Sequence, residues 1–331
     1  MKLHYSLLDR FALTLRTGPA LVTAALTLLW SGCGTVNRQA AGKLALQGAA
    51  TATTASQTYQ STGQSLTSYV EGEYLLSALK PGYSPPSGPM LANIKLVQAE
   101  LGARQQLFQA IASLYTSFGN LCSYDAKGQV EQSLGAGVQA VNGLSKAVGG
   151  GAISESAGKL AAAAGGEIVG QVQSARIKDA SAKIRAVLSA AVFVLQKASE
   201  HQAIVAARQE ITRGKLKVAR SLWDTDLALA TDILSAQVQA YGLTPNDSAI
   251  AHASANPNLK QGVNEILQWR QAREQAAQEA AYNATIRSLQ ALSDEHVKIE
   301  KGESVNLQAI QGYLAEMTSY ADLITAARKG K

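Results

Sequence analysis

Apolar residues recur along this chain at helical spacing, in segments separated by Gly- and Pro-rich breaks. The clearest stripe lies between Met90 and Phe118, where Ile94, Val97, Leu101, Phe108, Ile111, Tyr115 and Phe118 step by threes, fours and sevens. Such a stripe has to be buried against a partner, because a lone helix of this kind is marginal in water. Gly119, Asn120 and the Ser123-Tyr124-Asp125 cluster are its expected stop. Upstream, Leu66, Val70 and Tyr74 repeat every four residues and Leu75, Leu76 and Leu79 follow, which predicts a second helix. Lys80 to Pro89 ends it, with four prolines and two glycines in ten residues.

Two longer patterns follow. Ile177, Ile184, Val187, Ala191, Val194, Ala198 and Val205 hold a heptad-like stripe that resumes after Gly214 with Leu216, Ala219, Trp223, Ala230, Leu234, Val238 and Tyr241. Unbroken, that helix would be on the order of 100 Å long at 1.5 Å per residue; a break at Arg213-Gly214 is the alternative. Gly242 to Asp247 forms a stop signal, and Ser248 to Asn258 reads as a loop. Val263, Ile266, Leu267 and Trp269 restart the period. Leu289, Leu292, Ile299, Leu307, Ile310, Leu314, Met317 and Ile324 carry it to the C-terminus, with Gly302 a weak interruption. The expected fold is all-α: an elongated antiparallel helical bundle with long heptad-like, coiled-coil-type helices.

Two segments depart from this. Thr35 to Tyr69 is rich in Ala, Thr, Ser and Gln and has no charge between Lys43 and Glu71, so residues 33–65 read as a polar tether or a weak helix. Residues 132–171 hold ten of the 28 glycines, and each interior glycine costs a helix about 1 kcal/mol relative to alanine. A flexible connector or frayed hairpin is one reading. The other is a membrane-active hairpin, in which Gly149, Gly150, Gly151, Gly165 and Gly166 are candidate membrane-contact or hinge positions.

Composition agrees with helices. Nearly half the 331 residues are apolar, much of that alanine, and aromatics make up only 5%. The formal charge is +6, and Lys2, Arg10 and Arg16 against Asp9 take two of it from the first 32 residues. The remaining basic residues alternate with acids along the helices, which argues against a nucleic-acid partner.

The N-terminus supplies an address. Lys2, Arg10 and Arg16 precede an apolar run, Ala20 to Leu29, which ends in Ser31-Gly32-Cys33. The stretch resembles a bacterial lipoprotein signal peptide, whose cysteine is lipidated and becomes the new N-terminus. The resemblance implies a signal peptide at 1–32 and a lipid anchor (palmitate among its chains) on Cys33; the helical spacing, separately, places the bundle domain over 66–331. Gly34, rather than Asp, after the cysteine implies the outer membrane, facing the periplasm or the surface. Cys122 then has no partner in the chain and reads as a small half-buried hydrophobe.

Candidate chemistry is sparse. No His-Glu-x-x-His, Gly-x-Ser-x-Gly or P-loop occurs. Glu200-His201 and Glu295-His296 could meet if their helices pack antiparallel, but neither has the Glu-x-x-His spacing of a di-metal bundle, so each reads as a satisfied interfacial histidine. His252 is isolated, and Asp224, Asp226 and Asp232 lack the pattern of a calcium loop. No catalytic residue, metal or cofactor is expected. The sequence therefore points to a non-enzymatic, lipid-anchored envelope protein, a scaffold or binding module whose stripes take helical partners or a second copy. The alternative is a pore-forming-like protein that inserts 132–171.

Overall fold

The computed structural model describes residues 35–149, 158–159, 162–170, 172–224 and 257–328, with single positions at 235, 239, 244 and 246. These residues form seven long helices and no strand: α1 (Thr35–Leu79), α2 (Gly88–Ser123), α3 (Lys127–Ala147), α4 (Gln173–Glu200), α5 (Gln202–Asp224), α6 (Pro257–Lys301) and α7 (Gln308–Arg328). The fold is all-α, as the apolar spacing predicts.

α1 corrects the tether reading. It is helical from Thr35, and its small residues are the reason. Ala41, Ala45, Ala52 and Ala55 are buried, forming a thin face that lets α2 approach closely. The paired positions run in opposite directions. Arg38 donates to the carbonyls of Cys122 and Ser123, Gly119 faces Ala45, Tyr59 stacks on Phe108, and Tyr69 reaches Met90. At the far end the buried positions are Leu66, Tyr69, Glu73 and Leu76, while Tyr74, Leu75 and Leu79 are about half exposed, against the expected phase.

α2 buries every residue of its predicted stripe. Ser87 caps it by accepting from the Met90 N–H, and Pro89 sits in its first turn, where a missing N–H costs nothing. It runs through Gly119 and Asn120 to Ser123, because Gly119 lies against Ala45 and contributes to the close packing there. In the Pro-rich loop, Tyr83 donates to Glu73 at 2.8 Å and lies under Lys217, with the ammonium 5.0 Å from the ring centre.

The connector reading fails for residues 132–147, which belong to the helix α3. Val130, Leu134, Val141 and Leu144 are buried, and that burial outweighs the propensity cost of Gly135, Gly137 and Gly143. Gly137 itself faces Val187 of α4, where a Cβ would lie 3.2 Å from the valine. Beyond it, Gly149 and Gly166 adopt positive φ, whereas Gly165 does not. Gly150 and Gly151 lie outside the described residues. Ile168 is buried, its N–H donates to Glu131, and Lys183 donates to the carbonyls of Gly166 and Glu167.

The chain breaks at His201, not at Arg213-Gly214. His201 is extended (φ −69°, ψ 110°), and α5 restarts with the Val205 N–H on its carbonyl. The break resets the phase. Ile204, Ala207 and Ile211 become buried in place of Val205, and Val218 in place of Leu216 and Ala219. Gly214 stays helical because it is a contact point: a Cβ there would collide with the Tyr69 hydroxyl group. The expected positions Ala230 to Tyr241, the Gly242–Asp247 stop and His252 fall almost entirely outside the described residues, as do Asp226 and Asp232.

Gly302 is a full stop rather than a weak interruption. Its φ is +80°, its N–H bonds Ile299, and the Glu303 N–H bonds Lys298, the paired 5→2 and 6→1 bonds of a Schellman cap. α7 then folds back on α6, with Arg287 pairing Glu316 and Thr285 reaching Met317. Trp269, expected in the apolar stripe, is exposed and stacks with Arg273. Among the described residues, no helix is long and apolar enough to cross a membrane.

Candidate functional site

Charged residues reach the interior of this bundle at few places, and one of them opens into a pocket. Glu100 and Arg104 lie one turn apart on α2, on the same face as Val97, Leu101 and Phe108. That face turns inward, so both are carried into the core, 0% and 1% exposed. Glu100 is in direct ion contact with Arg104 Nε and also takes Arg208 Nη2 from α5 at 2.5 Å. Arg104 Nη1 donates to the Tyr59 hydroxyl at 3.4 Å. The guanidinium lies against the rings of Tyr59 and Tyr282, 5.4 and 5.2 Å from their centres.

Burial alone would pull the Arg104 pKa down; Glu100 and the two tyrosines more than offset it, so the group stays charged. The Tyr59 hydroxyl is pushed up, chiefly by burial, and stays protonated. Above this group lies a pocket of about 560 Å³. Thr58, Tyr59, Thr62 and Leu66 of α1, Val97, Leu101 and Arg104 of α2, Arg208, Ile211 and Lys215 of α5, and Gln275, Glu279 and Tyr282 of α6 contribute to its walls. At the rim, Lys215 donates to Ser65 Oγ at 2.7 Å and faces Glu274 at 3.7 Å. The size and the mixture of apolar wall with a few convergent polar groups suit a small-molecule site.

No family model matches this sequence, and neither the curated proteins nor the solved structures contain a match. Function therefore has to be read from the residues themselves.

A second polar group is closed. His296 of α6 is fully buried between Tyr115 and Phe118 of α2 and Ser181 of α4. Its Nδ1 is 2.5 Å from Ser181 Oγ and its Nε2 is 3.1 Å from the Tyr115 hydroxyl. Each ring nitrogen has a hydroxyl that can donate or accept, so the neutral ring is satisfied in either tautomer. The histidine is thus a packed interfacial one. It does not meet His201, whose ring lies against Gly149, twenty residues or roughly 30 Å further along α4 from Ser181. Among the described residues no cluster of three or more His, Cys, Asp or Glu could hold a metal.

Burial, followed by the Arg185 charge, lowers the His296 pKa to about 3. The unfolded chain, with an ordinary pKa near 6.5, binds that proton first. Stability is therefore fully present above about pH 6.5 and is lost as the pH falls toward 3. The expected slope from this one group is about 1.4 kcal/mol per pH unit. Urea unfolding at pH 6 and pH 5 should show this slope in the wild type, and His296→Phe should lack it; equal slopes would remove His296 as the cause.

Of the positions singled out from sequence, Cys33 lies outside the described residues, two before α1. Cys122 is buried and its thiol is pushed up to about 12, burial outweighing Arg38, as suits a packing residue. The Glu100–Arg104 group was missed. Its signal was an i, i+4 acid–base pair on the apolar side of the cleanest helix, where charge is out of place.

Proposed function

We propose that this protein is a non-enzymatic binding module of the bacterial envelope, lipid-anchored through Cys33, with the pocket between α1, α2, α5 and α6 as its ligand site. The pocket is the observation that carries the reading. Its lining has no histidine or cysteine and one carboxylate, Glu279, among hydroxyl, amide and apolar side chains. What it has is a rigid, aromatic-clamped guanidinium beside apolar wall, a recognition device.

The signal-like stretch and Ser31-Gly32-Cys33 support the anchor. Because α1 starts two residues after Cys33, little chain would intervene between lipid and bundle, and the pocket at Tyr59 would stand roughly 40 Å along α1 from the membrane. Several acyl chains hold stably where one does not. Gly34 favours the outer membrane. The inserting alternative would require α3 to withdraw Val130, Leu134, Val141 and Leu144 from the core, an apolar loss that the same segment would have to recover in lipid.

Cys33→Ser expressed in a bacterial host should move the protein from the membrane fraction to the soluble fraction while its helical circular dichroism is retained. Retention in the pellet after a high-salt wash would sink the anchor.

A further inference from the structure

We infer that the pocket binds an organic monocarboxylate, its carboxylate on Arg104 and Arg208 and its apolar body against Leu66, Val97, Leu101 and Ile211. The inference rests on the binding-module reading and adds the ligand's chemistry.

The first observation is an unused donor. Arg104 is 1% exposed and lines the pocket, yet its Nη2 has no hydrogen-bond partner among the described residues, while Nε is in ion contact with Glu100 without a hydrogen bond and Nη1 donates to Tyr59. A buried guanidinium edge left unpaired is costly, and a carboxylate is the acceptor that its planar fork fits. Contact with the Tyr59 and Tyr282 rings holds the fork in place, so little ordering remains for the ligand to impose.

The second observation is the charge. At the inner end two guanidiniums face one carboxylate, Glu100, which leaves one positive charge. At the rim Lys215 is met by Glu274, and Glu279 adds a negative group. One anionic charge fits at the inner end; a phosphate dianion would bring a second charge toward Glu279 with nothing to balance it. The third observation is the wall, in which Leu66, Val97, Leu101 and Ile211 are buried side chains that would otherwise bound the pocket with apolar surface.

Octanoate is the probe, titrated calorimetrically into the full chain carrying Cys33→Ser at pH 7, with octanol and octylamine as neutral and cationic counterparts. Octanoate should bind one to one and at least tenfold more tightly than octanol, and octylamine should not bind. Arg208→Gln should weaken octanoate about tenfold. The paired variant Glu100→Gln/Arg104→Gln, which removes both buried charges together and so avoids stranding one, should abolish the preference for octanoate over octanol. Equal binding of octanol, no saturable octanoate binding, or an unchanged preference in the folded paired variant would each overturn the inference. Binding of octanol alone would overturn it while leaving a binding module in place, and failure of the anchor would appear separately in the fractionation of Cys33→Ser.

Discussion

Gly48→Ala is expected to destabilise the protein by about 1–3 kcal/mol, the range for an overpacked core. The sign runs against helix propensity. Gly48 lies inside α1, where alanine is ordinarily better by about 1 kcal/mol. Here a Cβ would overlap the ring of Tyr115. That ring cannot withdraw, since it is fully buried and its hydroxyl is engaged by His296 Nε2 at 3.1 Å. The added methyl must therefore push α1 from α2, and the Ala45–Gly119 contact one turn along the pair loosens with it. Gly135→Ala is the control: that glycine is an exposed interior position of α3 with nothing near its missing Cβ, and the change should stabilise by about 0.5–1 kcal/mol. Urea unfolding followed at 222 nm separates the two. A stabilised Gly48→Ala would mean that α1 and α2 do not approach as described.

Glu100→Leu should cost about 3–5 kcal/mol, because it strands the Arg104 charge in the core with the Tyr59 hydroxyl as its remaining polar contact. Arg104→Met should cost a similar amount, eased by whatever Glu100 still gains from Arg208. Both changes made together leave no lone charge and fill the site with apolar volume, so the double variant should return most of the loss, to within about 1–2 kcal/mol of wild type. The same unfolding experiment gives the cycle. Additive losses would show that the two side chains act independently, contrary to their direct contact.

This pair explains why the candidate site was hard to read. Arg104 falls in the apolar phase of Val97, Leu101 and Phe108, but an acid–base pair four apart on a helix is usually a surface feature, so the pair is easily taken for a solvated one. Only the arrival of α5 and α6 over that face turns them into a buried group, with Arg208 coming from 104 residues beyond Arg104 and Tyr282 from 178 residues beyond it. The closed histidine shows the same limit in reverse. His296 could be placed on an apolar stripe from its neighbours Leu292 and Ile299, but its partners Ser181 and Tyr115 come from two other helices, and no local pattern names them. Cys122, by contrast, was legible, because a single unpaired cysteine beside an apolar stripe has one common use and burial has kept it to that use.

The sequence alone determined that this chain is helical and where its strongest helix lies. Ile94 to Phe118 turns one face inward whatever it meets, and four prolines within Lys80 to Pro89 forbid a helix through that stretch under any packing. Tertiary structure decided the rest. Poor helix formers in α1 and α3 became helices because alanine and glycine let neighbours approach closely enough to bury the few large residues beside them. Gly214, a breaker by propensity, remained helical because Tyr69 occupies the space a side chain would need, while the break fell at His201, where no Gly or Pro marks it. Local sequence weighs the cost of each conformation at a fraction of a kcal/mol per residue. Burial against a neighbour contributes more than that at a single position, so wherever the two disagree the neighbour prevails.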